Sequence, residues 1–294
     1  MVVIILLSGL SVLALVYLIA LLRAARARGE LTPKPEAVAL GAVTNFFDTL
    51  GIGSFAPTTA YLKLRKMIPD SFLPAVLNAG HCLPSMAQAL IFINLVKVDP
   101  LLLAACIVSA VAGATIGAPI VVRLPVRVVQ AVVGVALLIA AGLYALTNLG
   151  LMPGGGAALS LPAGFFVLAV SAHFVMGALM TFGIGLFAPS LILLSLLGLD
   201  PKAAFPIMMG ACAFLMPVSS LRFIKTPRID LSVVLGLALG GVPAVLLAAF
   251  VVKSLPLAAL RWGVVVVVLY AAALLIIAAA RAAPSPEAAL PPAA

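Results

Sequence analysis

Charge is scarce in this sequence: 17 Lys and Arg, 8 Asp and Glu and 2 His are spread over 294 residues. Charged residues make up 9% of the chain, against roughly a quarter in soluble domains, which excludes an ordinary water-soluble fold. No long polar segment occurs either, so there is no room for a separate soluble catalytic domain. The net charge of +9 forms no basic stripe with interleaved aromatics, which argues against a nucleic-acid partner. The three cysteines, Cys82, Cys106 and Cys212, lie in apolar stretches without CxxC spacing. They read as buried free thiols rather than a disulfide or metal framework. With no metal cluster and no nucleophile–base spacing, the expectation is no metal, no cofactor and no enzymatic activity.

What is abundant is apolar residues, at 65% of the chain with a mean hydropathy of +1.34. A helix needs about 20 of them to cross a bilayer. Apolar segments fall near 2–22, 37–62, 71–96, 100–122, 128–148, 162–198, 204–221, 231–252 and 257–280. The first has no preceding positive charge and is followed by Arg23, Arg26 and Arg28. That pattern predicts a retained helix with its N-terminus outside, not a cleaved secretory signal. The Pro/Ala-rich end, 281–294, reads as a disordered tail.

One motif occurs twice. "TLGIGSFAP" at 49–57 returns as "TFGIGLFAP" at 181–189, identical at seven of nine positions. At the same offset of 132, Pro69 pairs with Pro201 and Pro74 with Pro206. After one deletion the offset is 131, pairing Asp99 with Asp230 and Leu124-Pro125 with Leu255-Pro256. The chain therefore divides into 1–36 (one helix and a basic loop), a first repeat at 37–148, a Gly-rich linker at 149–161 and a second repeat at 162–280. Such duplication is the building plan of many secondary transporters.

Charge counting fixes the orientation. If all nine segments crossed once, Lys and Arg would divide nine to eight between the two sides. If both nonapeptide segments dip in and return, the division becomes thirteen inside, with only Lys97, Lys202, Lys253 and Arg261 outside. The second arrangement obeys the positive-inside rule. Making the first segment alone re-entrant gives twelve against five, so the second hairpin rests on symmetry and on the length of 162–198, too long for one ordinary crossing. The expected fold is thus an all-α polytopic bundle of two inverted repeats, each a broken re-entrant hairpin plus three transmembrane helices, preceded by one extra helix. Non-helical backbone is tolerated in a bilayer only where protein or a water-filled cavity satisfies it. The glycines would form the broken tips, and Pro57 and Pro189 suit the first turn of each returning half-helix.

Two helix N-termini meeting at the midplane would offer free N–H donors and partial positive charge to an anion. Thr49, Gly51, Gly53, Ser54, Thr181, Gly183 and Gly185 are the candidate binding residues. The competing reading is that the glycines only let helices pack closely. Asp48 is the one acid deep in an apolar segment, and it is either a proton-coupling group or a cap for the broken helix. His81 is the second candidate for proton coupling. His173 reads as a hydrogen-bonding group between helices. Asn78, Ser85 and Gln88 share a helical neighbourhood with His81, and Cys212, Ser219 and Ser220 are the thin equivalent in the second repeat.

These residues resemble the TauE/SafE sulfite exporter family, over about 37–280. The resemblance implies a bacterial inner-membrane permease for sulfite, sulfoacetate or related small anions. The family tip typically reads G-x-G-G-G, whereas here Ser54-Phe55 and Leu186-Phe187 stand at the last two positions. The bulkier Phe55 and Phe187 would reshape the pocket and join the candidate binding set with Asn78. The expected function is a secondary transporter working by alternating access, with the bilayer and a small anion as partners and a homodimer left open. The rival readings are an anion channel using the same tips, an intramembrane enzyme using Asp48 and His81, and a structural membrane subunit.

Overall fold

The structure is a computed structural model describing residues 1–51, 53–117, 126–151, 156–180, 185–254 and 257–281. Among the described residues eleven α-helices follow one another: α1 Val2–Arg28, α2 Pro35–Thr49, α3 Phe55–Leu64, α4 Leu73–Leu95, α5 Pro100–Ala112, α6 Val126–Asn148, α7 Ala163–Met180, α8 Phe187–Leu196, α9 Pro201–Phe223, α10 Leu231–Ser254 and α11 Leu257–Arg281. Among the described residues the sole β contact is a single bridge between Ala158 and Leu199. Six helices (α1, α4, α7 and α9 to α11) are long and apolar enough to cross a membrane. The chain is a helical membrane protein.

Both apolar segments that carry the nonapeptide are divided between two helices, the first at Gly51 and Gly53 and the second between Met180 and Phe187. The first becomes α2 and α3, of 15 and 10 residues. At 1.5 Å per residue these are about 22 and 15 Å long, too short for a hydrocarbon core about 30 Å thick. The second becomes α7 and α8, of 18 and 10 residues. Alone, α7 reaches about 27 Å and nearly spans such a core.

The flanks of each broken pair are joined by hydrogen bonds. Glu36, in the first turn of α2, accepts hydrogen bonds of 2.8 Å from Arg65 Nε, just past α3, and from Tyr61 Oη. The Arg65 guanidinium holds the Glu36 carboxyl below its ordinary range, with Tyr61 assisting. In the second pair, the Asp200 amide just past α8 donates to the carbonyl of Ala158, just before α7, at 2.8 Å. The Asp99 amide donates to neighbouring Leu159, so the start of α5 lies at that same end. The opposite end gathers 28–34 and 224–232: Arg28 donates to the carbonyls of Ile224 and Thr226, Lys34 pairs with Asp230, and Glu30 accepts from the Leu231 amide.

Packing follows the internal duplication. α2 lies against α10, and α7 against α5; α4 faces α9, and α6 faces α11. Lipid supplies no hydrophobic drive between helices, so small residues that admit close backbones hold such contacts. A Cβ at Gly240 would overlap the Val38 carbonyl, and one at Gly177 would overlap that of Ala110. Their counterparts answer in kind: Ser109 donates to the Val170 carbonyl at 2.7 Å, and Gly241 lies against Asn45. Asp99 and Asp230, paired from the sequence, serve as N-caps of α5 and α10, accepting from main-chain amides at 2.7 and 3.0 Å. The other sequence pairing, Leu124-Pro125 with Leu255-Pro256, lies outside the described residues. α1 is anchored by fully buried Tyr17, whose hydroxyl donates to the Ala79 carbonyl of α4.

Candidate functional site

The first tip turns through Gly51 and Gly53, at φ of 97° and 87°, the left-handed region that glycine tolerates and other residues resist. α3 then starts at Phe55, with Pro57 in its first turn. The second tip reaches Gly185 and restarts at Phe187, with Pro189 at the matching place. Helix geometry leaves the first-turn amides without intrahelical partners, and proline there removes a donor that would have been one of them. Phe55 and Ala56, and Phe187 and Ala188, are therefore the amides each helix start can offer.

Both starts open into one cavity of about 130 Å³. Gly53, Ser54, Phe55 and Ala56 line it from one tip, and Gly185 through Pro189 from the other. Asp48, Ser85, Met180 and Cys212 complete the polar and sulfur-bearing part, while Leu137 of α6 and Tyr270, Leu274 and Leu275 of α11 close it with apolar surface. A cavity of about 150 Å³ holds a benzene molecule, so this one suits a ligand of several heavy atoms. Among the described residues its walls carry no Lys or Arg, and Asp48 is the one carboxylate.

Asp48 is buried and closely partnered. Gln88 Nε2 donates to its Oδ2 at 2.8 Å and to Thr49 Oγ1 at 3.0 Å. Ser54, at the tip, faces the same carboxyl group. Thr49 Oγ1 in turn donates to the Asn45 carbonyl at 2.8 Å. In the second repeat Met180 stands where Asp48 stands in the first, and its Sδ lies 3.6 Å from Cys212 Sγ.

The two histidines do equivalent things from non-equivalent positions. Thr58 and Ser190 correspond at the 132 offset, each one turn into its returning half-helix. His81 Nε2 lies 3.0 Å from Thr58 Oγ1, and His173 Nε2 lies 3.0 Å from Ser190 Oγ. His173 Nδ1 faces the Ala169 carbonyl at 2.7 Å, which can only accept, so Nδ1 carries the proton and Ser190 donates to Nε2. His81 Nδ1 faces Asn45 Oδ1 at 3.0 Å and takes the same tautomer. Each imidazole, neutral and fully buried, braces one broken helix.

Of the residues expected to bind, the fold brings together Gly53, Ser54, Phe55, Gly185 and Phe187, with Asp48 beside them. Thr49, Asn78 and His81 do not line the cavity: Thr49 serves Asp48's cluster, and Asn78 bonds the Pro74 carbonyl and Ser219. Gly51 acts in packing, where an added Cβ would come within 3.3 Å of Leu191 on α8. Thr181 and Gly183 lie outside the described residues. Sequence reasoning did not find the walls from α6 and α11, because an apolar residue facing a cavity looks like any other in an apolar helix. No family model, no curated protein and no solved structure matches this chain, so what it does is argued from this site.

Proposed function

We propose that the chain is a secondary transporter of a small anion, working by alternating access in the bacterial inner membrane. Its plan is that of the TauE/SafE-like permeases it resembles, with sulfite or a small organosulfonate such as sulfoacetate as first candidates. The observation that carries the reading is the convergence of two helix starts, separated by 132 residues in sequence, on one small cavity with no cation in its walls. Free amides and two helix dipoles would hold an anion there weakly enough to release it. The reading assigns no chemical step, and hence no catalytic residue, cofactor or metal.

The return of each broken pair to its own end supports re-entrant hairpins. Glu36 with Arg65 closes one, and Ala158 with Leu199 and Asp200 closes the other, at opposite ends of α4 and α9. That arrangement supports an inverted repeat. The Glu36–Arg65 end carries Arg28, Lys66, Arg222, Lys225 and Arg228, while Lys97 and Lys202 lie at the other, which supports a cytoplasmic assignment for the first.

The test is counterflow in proteoliposomes, with a panel of labelled sulfite, small sulfonates and carboxylates. A carrier accumulates label against trapped unlabelled anion. A channel does not, and uptake that merely follows the gradient would reject alternating access.

A further inference from the structure

Asp48 is a poor neighbour for a bound anion. It is 3% exposed in the cavity wall, and among the described residues no ion pair to it is found. A carboxylate so placed in a membrane needs a counter-charge.

Oxygen ligands surround it. Thr49 Oγ1, at 0% exposure, and Ser54 Oγ, at 4%, lie beside the carboxylate. Gln88 is fully buried, and its Oε1 has no hydrogen-bond partner, while its Nε2 points at both Asp48 and Thr49. A buried acceptor left unsatisfied is costly, and with no partner for Oε1 among the described residues the carboxamide is held from its Nε2 side alone. Half a turn of the carboxamide would exchange the two atoms. Oε1 would then take the place of Nε2, beside Asp48 Oδ2 at 2.8 Å and Thr49 Oγ1 at 3.0 Å. Three oxygens so close repel one another unless a proton or a cation lies among them. The C-terminal end of α2, which stops at Thr49, adds its partial negative charge at the same point. Broken-helix C-termini and oxygen side chains are the means by which transporters hold coupling cations.

We propose that Asp48, Thr49, Ser54 and Gln88 form a binding site for one alkali cation, with the Gln88 carboxamide turning between an ion-free and an ion-bound state. The cation neutralises Asp48 and so makes the adjoining helix starts receptive to an anion. This coupling role rests on the transporter reading above; the cation site itself does not. All four ligands are hard oxygens and carry one formal charge, which suits a monovalent ion and not a transition metal.

The test uses the purified full-length protein at fixed pH, with choline chloride balancing ionic strength, and ²²Na⁺ or ⁸⁶Rb⁺ as separate probes without any organic anion. Saturable binding of either probe is expected and identifies the smaller or the larger cation. Asp48→Asn should weaken it at least tenfold. Gln88→Glu keeps the oxygen, adds charge and loses the Nε2 donor, so a cation site predicts affinity equal to or tighter than wild type. A merely structural Gln88 predicts the opposite. Thr49→Ala, which removes one ligand without touching charge, should weaken binding severalfold. Absence of saturable binding of both probes from pH 6 to 8 overturns the site, as does wild-type binding in Asp48→Asn. If anion counterflow persists in that case, the transporter reading survives and the cation site alone fails. Cation binding without counterflow of any anion would reject the coupling role and retain the site.

Discussion

The cavity can be filled at one tip position with little disturbance of the fold, Gly185. Its φ lies outside the left-handed region, and a Cβ added there meets nothing within 4 Å among the described residues. Gly53 also has open space, but its φ of 87° adds strain of about 1–3 kcal/mol for a side chain, more if β-branched. Gly185→Val is therefore the cleaner perturbation. Scaled from a benzene in about 150 Å³, each added carbon takes about 25 Å³, so three take about 75 Å³. That is more than half of the 130 Å³ available. Gly185→Ala should reduce anion exchange a few-fold and Gly185→Val at least tenfold, with unchanged expression and thermal stability. The assay is exchange flux in proteoliposomes, with affinity measured in parallel on purified protein. Wild-type flux and affinity in Gly185→Val would refute the assignment of this cavity as the anion site.

Cysteine placed at Lys66 or Arg228 should be labelled from the same side as cysteine at Arg28, and cysteine at Lys97 or Lys202 from the opposite side. Labelling of the Lys66 position from the Lys97 side would reject the first hairpin and the inversion with it. Ser190→Ala removes the donor to His173 Nε2 and leaves a buried ring nitrogen unpaired, which should cost about 1–3 kcal/mol in thermal or denaturant unfolding. Thr58→Val should do the same through His81; unchanged stability in both variants would remove the bracing role. Gly177→Leu should prevent assembly, because even a Cβ there overlaps the Ala110 backbone, and a folded, monodisperse variant would show that α5 and α7 can separate.

Much of this protein is written locally. Apolar run lengths gave most helices to within about three residues, since a segment in lipid must satisfy its own backbone or break where something else does; α1 runs six residues past its apolar run, and α5 stops at Ala112 inside the run 100–122. The two breaks were legible because they need glycine and tolerate proline, and α3 and α8 begin where those residues require. Asp99 and Asp230 announced equivalent helix starts through their pairing, and both proved to be caps. Tertiary structure decided the rest. Only packing shows that the two tips share one cavity, that α6 and α11 close it, and that Gln88 reaches Asp48 from 40 residues away. The histidines make the same point: His81 and His173 do not correspond in sequence, yet they brace corresponding hydroxyls. Residue periodicity and turn chemistry act over a few residues, so the sequence declares them openly. Which side chains meet across the bundle depends on how close small residues such as Gly177 and Gly240 let the backbones come, and that is settled only when the helices pack.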